Sequence, residues 1–479
     1  MRTLLVTALA LALLAGCVTP ASDVDAASAA AAGMLPHFEL SDEHDHKDRA
    51  SHDVAWNMRL LGYDPIAPSA AEFGRYNHVV VQGERAFVTA YALARGGAPG
   101  LAIFDISGDD PVLTATYETP DMTPIDVHVS ADGKYAVLAG HRENTLALPP
   151  ELANTCTGTP MLNVCAPFFP QGVFLLDVED GAAPRLLDTW RSAPSGAHTA
   201  KIVQYGDEHY VFIASYGFSY ANRLLSHVEI LRVAEGTPLG ARLEPVAEFL
   251  PSQPSGNDGT TSTFVHDMFI AEHPERGMLM WIAYWDGGVV IVDVNDPAAP
   301  EELSSWTEFD AALYGNIHFA RPVGTIGDRH VSFAAPEFGS AEHAGEAYVL
   351  DTTDPAAPEL LAKWVLPGDP VNDGGYRFSP HNFDPYGTKI VYAHYHGGVW
   401  VIDLAAPETP AVKGYVFPTV PEGEAEFEAT EDAPNVWAAV WDANGTIWAS
   451  DIGTGLYHYA LVAEEPGVAP YEAVLAADS

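Results

Sequence analysis

The sequence predicts an all-β fold, a seven-bladed β-propeller of four-stranded antiparallel blades whose ring is closed by an N-terminal strand. Two recurring phrases and one displaced strand carry this expectation. The first phrase is a glycine turn, a β-branched and aromatic run ending in Asp, a Pro-containing turn and a second run ending in an aromatic residue. It reads PGLAIFDISGDDPVLTATY from Pro99, QGVFLLDVEDGAAPRLLDTW from Gln171, WDGGVVIVDVNDPAAPEELSSW from Trp285, GEAYVLDTTDPAAPELLAKW from Gly345 and GGVWVIDLAAPETPAVKGY from Gly397. Such a pattern marks two adjacent antiparallel strands.

The second phrase precedes the first in each unit and is a short strand, a polar turn and an apolar strand. Its copies are YNHVVVQGERAFVTAYA, IDVHVSADGKYAVLAGH, GAHTAKIVQYGDEHYVFIASY, FVHDMFIAEHPERGMLMWIAYWDGG, GNIHFARPVGTIGDRHVSFAAPEF, SPHNFDPYGTKIVYAHYHGG and NVWAAVWDANGTIWASDIGTG. Four strands repeated in seven copies suit a propeller, because radial packing protects the strand edges that isolated sheets would expose. The third copy, SHVEILRVAEGTPLGARLEPVAEF, lacks the terminal Asp, and the seventh ends at GLYHYAL without an outer strand. MRLLGYD from Met58 matches the missing fourth-strand type, so residues 55–461 are expected to form one closed domain, with 462–479 a tail.

The N-terminus reads as an export signal. MRTLLVTALALALLAGC has a basic start, an apolar stretch and Cys17 at the cleavage point. It resembles a lipoprotein signal, in which Cys17 would be lipidated and become the mature N-terminus. The expected location is therefore outside the cytoplasm, in the periplasm or at the cell exterior, with membrane attachment only through the lipid. Residues 18–54 read as a small-residue tether, and its His37, His44, His46 and His52 among carboxylates suit a solvated acidic spacer better than a chelating segment. Cys156 and Cys165 fit a local disulfide in an insertion of blade 2.

Composition is globular and acidic. Hydrophobic residues make up 48% and formal net charge is −43, a field that repels nucleic acid and anionic headgroups and excludes both as partners. High acid content with few lysines also resembles proteins from salty environments. The expected state is a monomer engaging an extracytoplasmic protein or a small molecule.

GVVIVDVNDPAAP, with HDMFIA upstream, resembles the LVIVD-repeat proteins, exported or surface proteins with propeller-like repeats. The resemblance implies the fold and an extracytoplasmic address, and no agreed enzymatic activity. By fold and histidine content the chain also distantly resembles the selenium-binding propellers of the methanethiol oxidase group, which implies a metal enzyme as the alternative reading. No G-x-S-x-G elbow, phosphate loop or dinucleotide fingerprint stands between a strand and a helix, so a serine triad has no support.

The candidate site is the channel mouth. His78, His128, His198, His266, His318 and His381 recur at the start of each blade's first strand, with Trp437 near that place in blade 7. Such a ring suits a transition metal, Cu, Zn, Ni or Fe. It suits a structural role better, each ring N–H bonding to the next blade's backbone or to the repeated Asp105, Asp177, Asp293, Asp351 or Asp403. Non-repeating neighbours single out the mouth further: His394 and His396 in AHYHGG, Asp267 beside His266, Trp285 and Asp286 in YWDGG, and His141 in AGH together with His128. The expected metal set is His381, His394 and His396, completed by His266, His198 and His318. A binding platform at this face is the leading expectation.

Overall fold

The computed structural model describes residues 55–65, 76–90, 99–119, 122–141, 172–192, 196–215, 226–237, 240–252, 263–308, 316–337, 345–367, 378–419 and 434–462. Cys17, Cys156, Cys165 and the tether histidines lie outside them. Every regular element among the described residues is a strand, and the strands form seven antiparallel sheets. The first strands of the blades are Tyr76–Gln82, Thr123–Val129, Ala197–Tyr205, Asp267–His273, Ile317–Ile326, Phe383–Tyr386 and Val436–Trp441. Blades 1 to 6 take four strands each in chain order, whereas blade 7 takes three from the end of the chain and its outer strand from the beginning.

That outer strand is Met58–Pro65, paired from Met58 opposite Leu461 to Pro65 opposite Gly455. The closure read from the sequence is therefore correct. One addition was not foreseen: Ala55–Trp56 pairs with Val416 and Tyr415 as a fifth strand on blade 6. Asn57 then turns the chain with φ 53, and its Nδ2 donates to the Lys413 carbonyl at 2.6 Å. The carbonyl of Asn57 accepts from Val462 N at 2.9 Å, so one residue bridges the rims of blades 6 and 7.

The core is shared out between blades. Val391, Val401, Ala439 and Tyr457 pack between blades 6 and 7, and Trp281, Ile291, Ala334 and Tyr348 between blades 4 and 5. Inner strands are covered on both faces, which explains why Val289–Asp293 reads VVIVD as a continuous apolar run with no alternation. Fourth strands sit at the rim and are largely exposed, as in Val112–Glu118.

The two ends of the propeller are built differently. Between first and second strands, every blade places one glycine in the left-handed region: Gly83, Gly133, Gly206, Gly277, Gly327, Gly387 and Gly445, with φ between 60° and 79°. A side chain there would meet the left-handed steric cost, so this end is held to tight hairpins. The repeated Asp acts at the same end. Asp105, Asp177, Asp293, Asp351 and Asp403 each accept the backbone N–H two residues on, at 2.9 to 3.2 Å, starting the turn into the fourth strand. These carboxylates are thus turn formers and do not hold the histidines.

Deleting residues 18–50 should leave thermal melting unchanged, whereas deleting 18–65 should strip the Gly455–Leu461 edge of its partner and lower the melting temperature or cause aggregation. Equal melting of the two truncations would mean that the strand is dispensable.

Candidate functional site at the channel mouth

Bulges at the start of the first strands decide which residues face the mouth. In blades 3, 5 and 7 the extra residue is His198, His318 or Trp437, lying between the paired positions Ala197 and Thr199, Ile317 and Phe319, and Val436 and Ala438. His266 and His381 take the same place in blades 4 and 6, each donating its backbone N–H to Ala283 or Ala393. The five rings form a continuous arc. Centroid separations are 4.1 Å from His198 to His266, 4.1 Å on to His318, 4.4 Å to His381 and 4.4 Å to Trp437.

Blades 1 and 2 depart from the predicted ring. In blade 2 the bulged residue is Ile125, and His128 lies three positions further along, opposite Val137. In blade 1 Asn77 holds the mouth position and His78 faces Thr89, one step deeper. The ring is therefore an arc of four histidines and one tryptophan. A repeated letter was read as a repeated position, and the bulges shift the register between them.

Two of the arc histidines bond as the structural reading expects. His266 Nδ1 donates to the His318 carbonyl at 3.1 Å, and His381 Nδ1 to the Trp437 carbonyl at 2.6 Å, each in the next blade. These bonds leave Nε2 as the acceptor nitrogen of both rings. Two aromatic residues cover the arc. Trp285 stacks on His266 at 5.1 Å and on Phe264 at 4.9 Å, and Tyr395 meets His381 at 4.9 Å. Both have left-handed backbones, φ 49 and 34, and both latch onto the next blade through bridges to Ile317 and Val436. Strained non-glycine residues of this kind persist only where the surroundings over-determine them.

The AHYHGG histidines do not join the arc as the sequence suggested. The side chain that lies on His381 is that of Tyr395 between them. His394 is fully buried, with its ring 4.3 Å from Tyr392 and 5.5 Å from Trp364, and its Nδ1 donates to the Phe378 carbonyl at 3.2 Å. His396 is buried with its ring 6.3 Å from Phe378. Asp286 accepts from Asn316 N at 3.2 Å, and His141 ends its strand opposite Thr123.

Beneath the arc lies a charged layer that sequence reading missed. Lys201 Nζ sits 2.9 Å from Asp126 and 3.3 Å from Asp267, all three buried. Asp126 also lies 3.4 Å from His78 Nε2, and Asn382 of blade 6 donates to His78 Nδ1 of blade 1 at 3.0 Å. Burial works against the Lys201 ammonium, but the two carboxylates outweigh it and hold its pKa above the ordinary value. Burial raises both Asp126 and Asp267 despite Lys201. Burial and then Lys201 lower His78 to about 3, so it is neutral. One layer further, Arg321 pairs with Asp384 at 2.7 Å and lies over the Phe269 ring at 3.7 Å. The legible signal was a lysine on an innermost strand of a chain with few lysines.

Fold and mouth together define a β-propeller with an aromatic and histidine-lined mouth over a charge-filled axis. Residues 277–308, the last three strands of blade 4, match the LVIVD repeat. The chain thus carries one matched LVIVD repeat within a β-propeller fold. Among solved structures it is similar to the periplasmic gluconolactonase PpgL of Pseudomonas aeruginosa, with 13% identity, TM-score 0.50, and coverage of 85% of this chain and 100% of that one. The β-propeller domain of Cps50 (Swd1) from Myceliophteria thermophila aligns at 12% identity and TM-score 0.47, over 83% and 100% of the two chains. Sqt1 of Saccharomyces cerevisiae aligns at 11% and 0.48, over 84% of each. At 13% identity the likeness to PpgL shows the fold alone. No curated protein matches the sequence.

Replacing Lys201 with Met should leave two buried carboxylates without their cation and cost about 3–5 kcal/mol of stability by chemical denaturation. A loss below 1 kcal/mol would show that the layer contributes little. His394 supplies a pH test. Burial lowers its pKa from 6.5 to about 3, so between those values the unfolded chain binds more protons and stability falls as pH drops. Tyr284 occupies the equivalent place in blade 4, its N–H bonded to Gly288 O as that of His394 is to Gly398 O. His394→Tyr should therefore fold, and should flatten the acid limb of stability against pH by up to about 1.4 kcal/mol per pH unit. An unchanged limb would mean that His394 is not held neutral.

Proposed function

We propose that this protein is an exported, lipid-anchored binding protein that engages an extracytoplasmic protein or small molecule with the mouth face of its propeller. The observation that carries this reading is the arc His198, His266, His318, His381 and Trp437, roofed by Trp285 and Tyr395. Aromatic rings offer large contact area at low entropic cost, and imidazoles add hydrogen-bonding edges. The contrast between the two ends supports the choice of face. The opposite end is held by seven left-handed glycine hairpins, whereas the residue at the mouth position of the first strand differs between blades, being Asn77, Ile125, a histidine or Trp437. Variation on a rigid scaffold is where binding specificity resides. The net charge of −43 favours cationic or neutral ligands over polyanions.

A photo-crosslinking residue at Trp437, at the mouth, should give adducts in intact cells, while one at exposed Ala443, in the opposite-face turn of the same blade, should not. Equal labelling, or labelling from Ala443 alone, would refute the choice of face. The anchor rests on the sequence MRTLLVTALALALLAGC. Cys17→Ser should move the protein from the membrane fraction to the soluble one, and retention after a high-salt wash would reveal a second attachment.

A further inference from the structure

Three residues of the mouth come together from separate elements. His266, His318 and Glu337 each offer one donor atom, and these atoms lie within 4.8 Å of one another. The histidines stand at the starts of the first strands of blades 4 and 5, and Glu337 directly follows Arg329–Pro336, the second strand of blade 5. Both histidines are buried, and Glu337 is partly so.

Two of the three donors are oriented by hydrogen-bond partners. His266 gives its Nδ1–H to the His318 carbonyl at 3.1 Å, which presents Nε2 as the ligating nitrogen. The Glu337 backbone N–H bonds to Asn316 Oδ1 at 2.9 Å, and its carboxylate accepts from Tyr395 Oη at 2.8 Å. Asn316 is itself held, with φ 33 and its N–H on Asp286. Hydrogen bonds between the ligands and surrounding backbone or side-chain groups are what fix ligand geometry in metal sites. Two imidazoles and one carboxylate suit a divalent first-row transition ion and leave coordination positions open.

We propose that His266, His318 and Glu337 form a mononuclear site for a divalent transition metal at the mouth, with His198 and His381 flanking it. The proposal deepens the reading of the mouth as the binding face and rests on it for its purpose. The ion would give that face a Lewis-acidic centre for an oxygen or nitrogen ligand. Metal uptake and partner capture are separate measurements, so either can fail while the other stands.

The test uses the purified mature chain, stripped with chelator, desalted and titrated with Co(II), read by its visible absorption and by elemental analysis. One equivalent should bind in the presence of excess Mg(II). Glu337→Gln, nearly isosteric, and His318→Ala should each weaken binding at least tenfold, with folding checked by melting. A chain with His37, His44, His46 and His52 all changed to Ala should still take one equivalent, as should His394→Tyr. Three results would each overturn the site: no stoichiometric uptake by the wild type, undiminished affinity in folded Glu337→Gln, or loss of uptake in the tether variant.

Discussion

Closure of the ring is the constraint on which the rest depends. Seven sheets can share a central axis only if the last packs on the first, and blade 7 lacks a strand until Met58–Pro65 supplies it. The pairing protects an edge and commits blade 7 to its neighbours at once. At the rim, Asn57 ties blades 6 and 7 together, and nearer the axis the Ser450 hydroxyl donates to the Asn77 carbonyl across the junction of blades 7 and 1. Among the described residues six interfaces carry an apolar cluster of their own, and aromatic contacts of Phe319, Phe333 and Phe383 join blades 5 and 6, so loss of one junction weakens a chain of packed neighbours.

Closure also brings the first strands of neighbouring blades into mutual contact around the axis, and their side chains have to be compatible there. The protein meets this demand with charge. Lys201 lies between Asp126 and Asp267, and Arg321 pairs with Asp384, in a chain whose formal charge is −43. Buried ion pairs seldom add net stability over apolar packing, but an unpaired member is costly. The layer therefore constrains registry: His78, Asp126, Lys201, Asp267 and Asn382 satisfy one another only when five blades stand at the right height. It also gives the mouth a polar floor.

The mouth inherits its geometry from these two facts. Adjacent blades bring residues at the same bulged position to about ring-stacking distance, which is why four imidazoles and an indole stack in series. The latches of Trp285 and Tyr395 onto the next blade set the cover over the arc, and the Tyr395 hydroxyl holds Glu337 in reach of His266 and His318. Scaffold and candidate site are in this sense the same set of contacts.

Sequence alone determined what depends on local pattern. The strand count, the glycine hairpins, the Asp-led turns and the displaced strand at Met58 are all encoded within a few residues of where they act, and seven copies make the pattern unmistakable. Four of the six proposed ring histidines, and Trp437, stand at the mouth for the same reason. Tertiary structure decided the remainder. A single bulged residue moves His128 and His78 out of the ring, and no local preference distinguishes a bulge at Ile125 from one at His128. Glu337, Lys201 and Asp384 have no repeat to announce them, because their partners lie in other blades and proximity arises only once the ring has closed. Side-chain direction settled the AHYHGG motif: packing against Tyr392 and Trp364 takes His394, and Tyr395 is left on the arc.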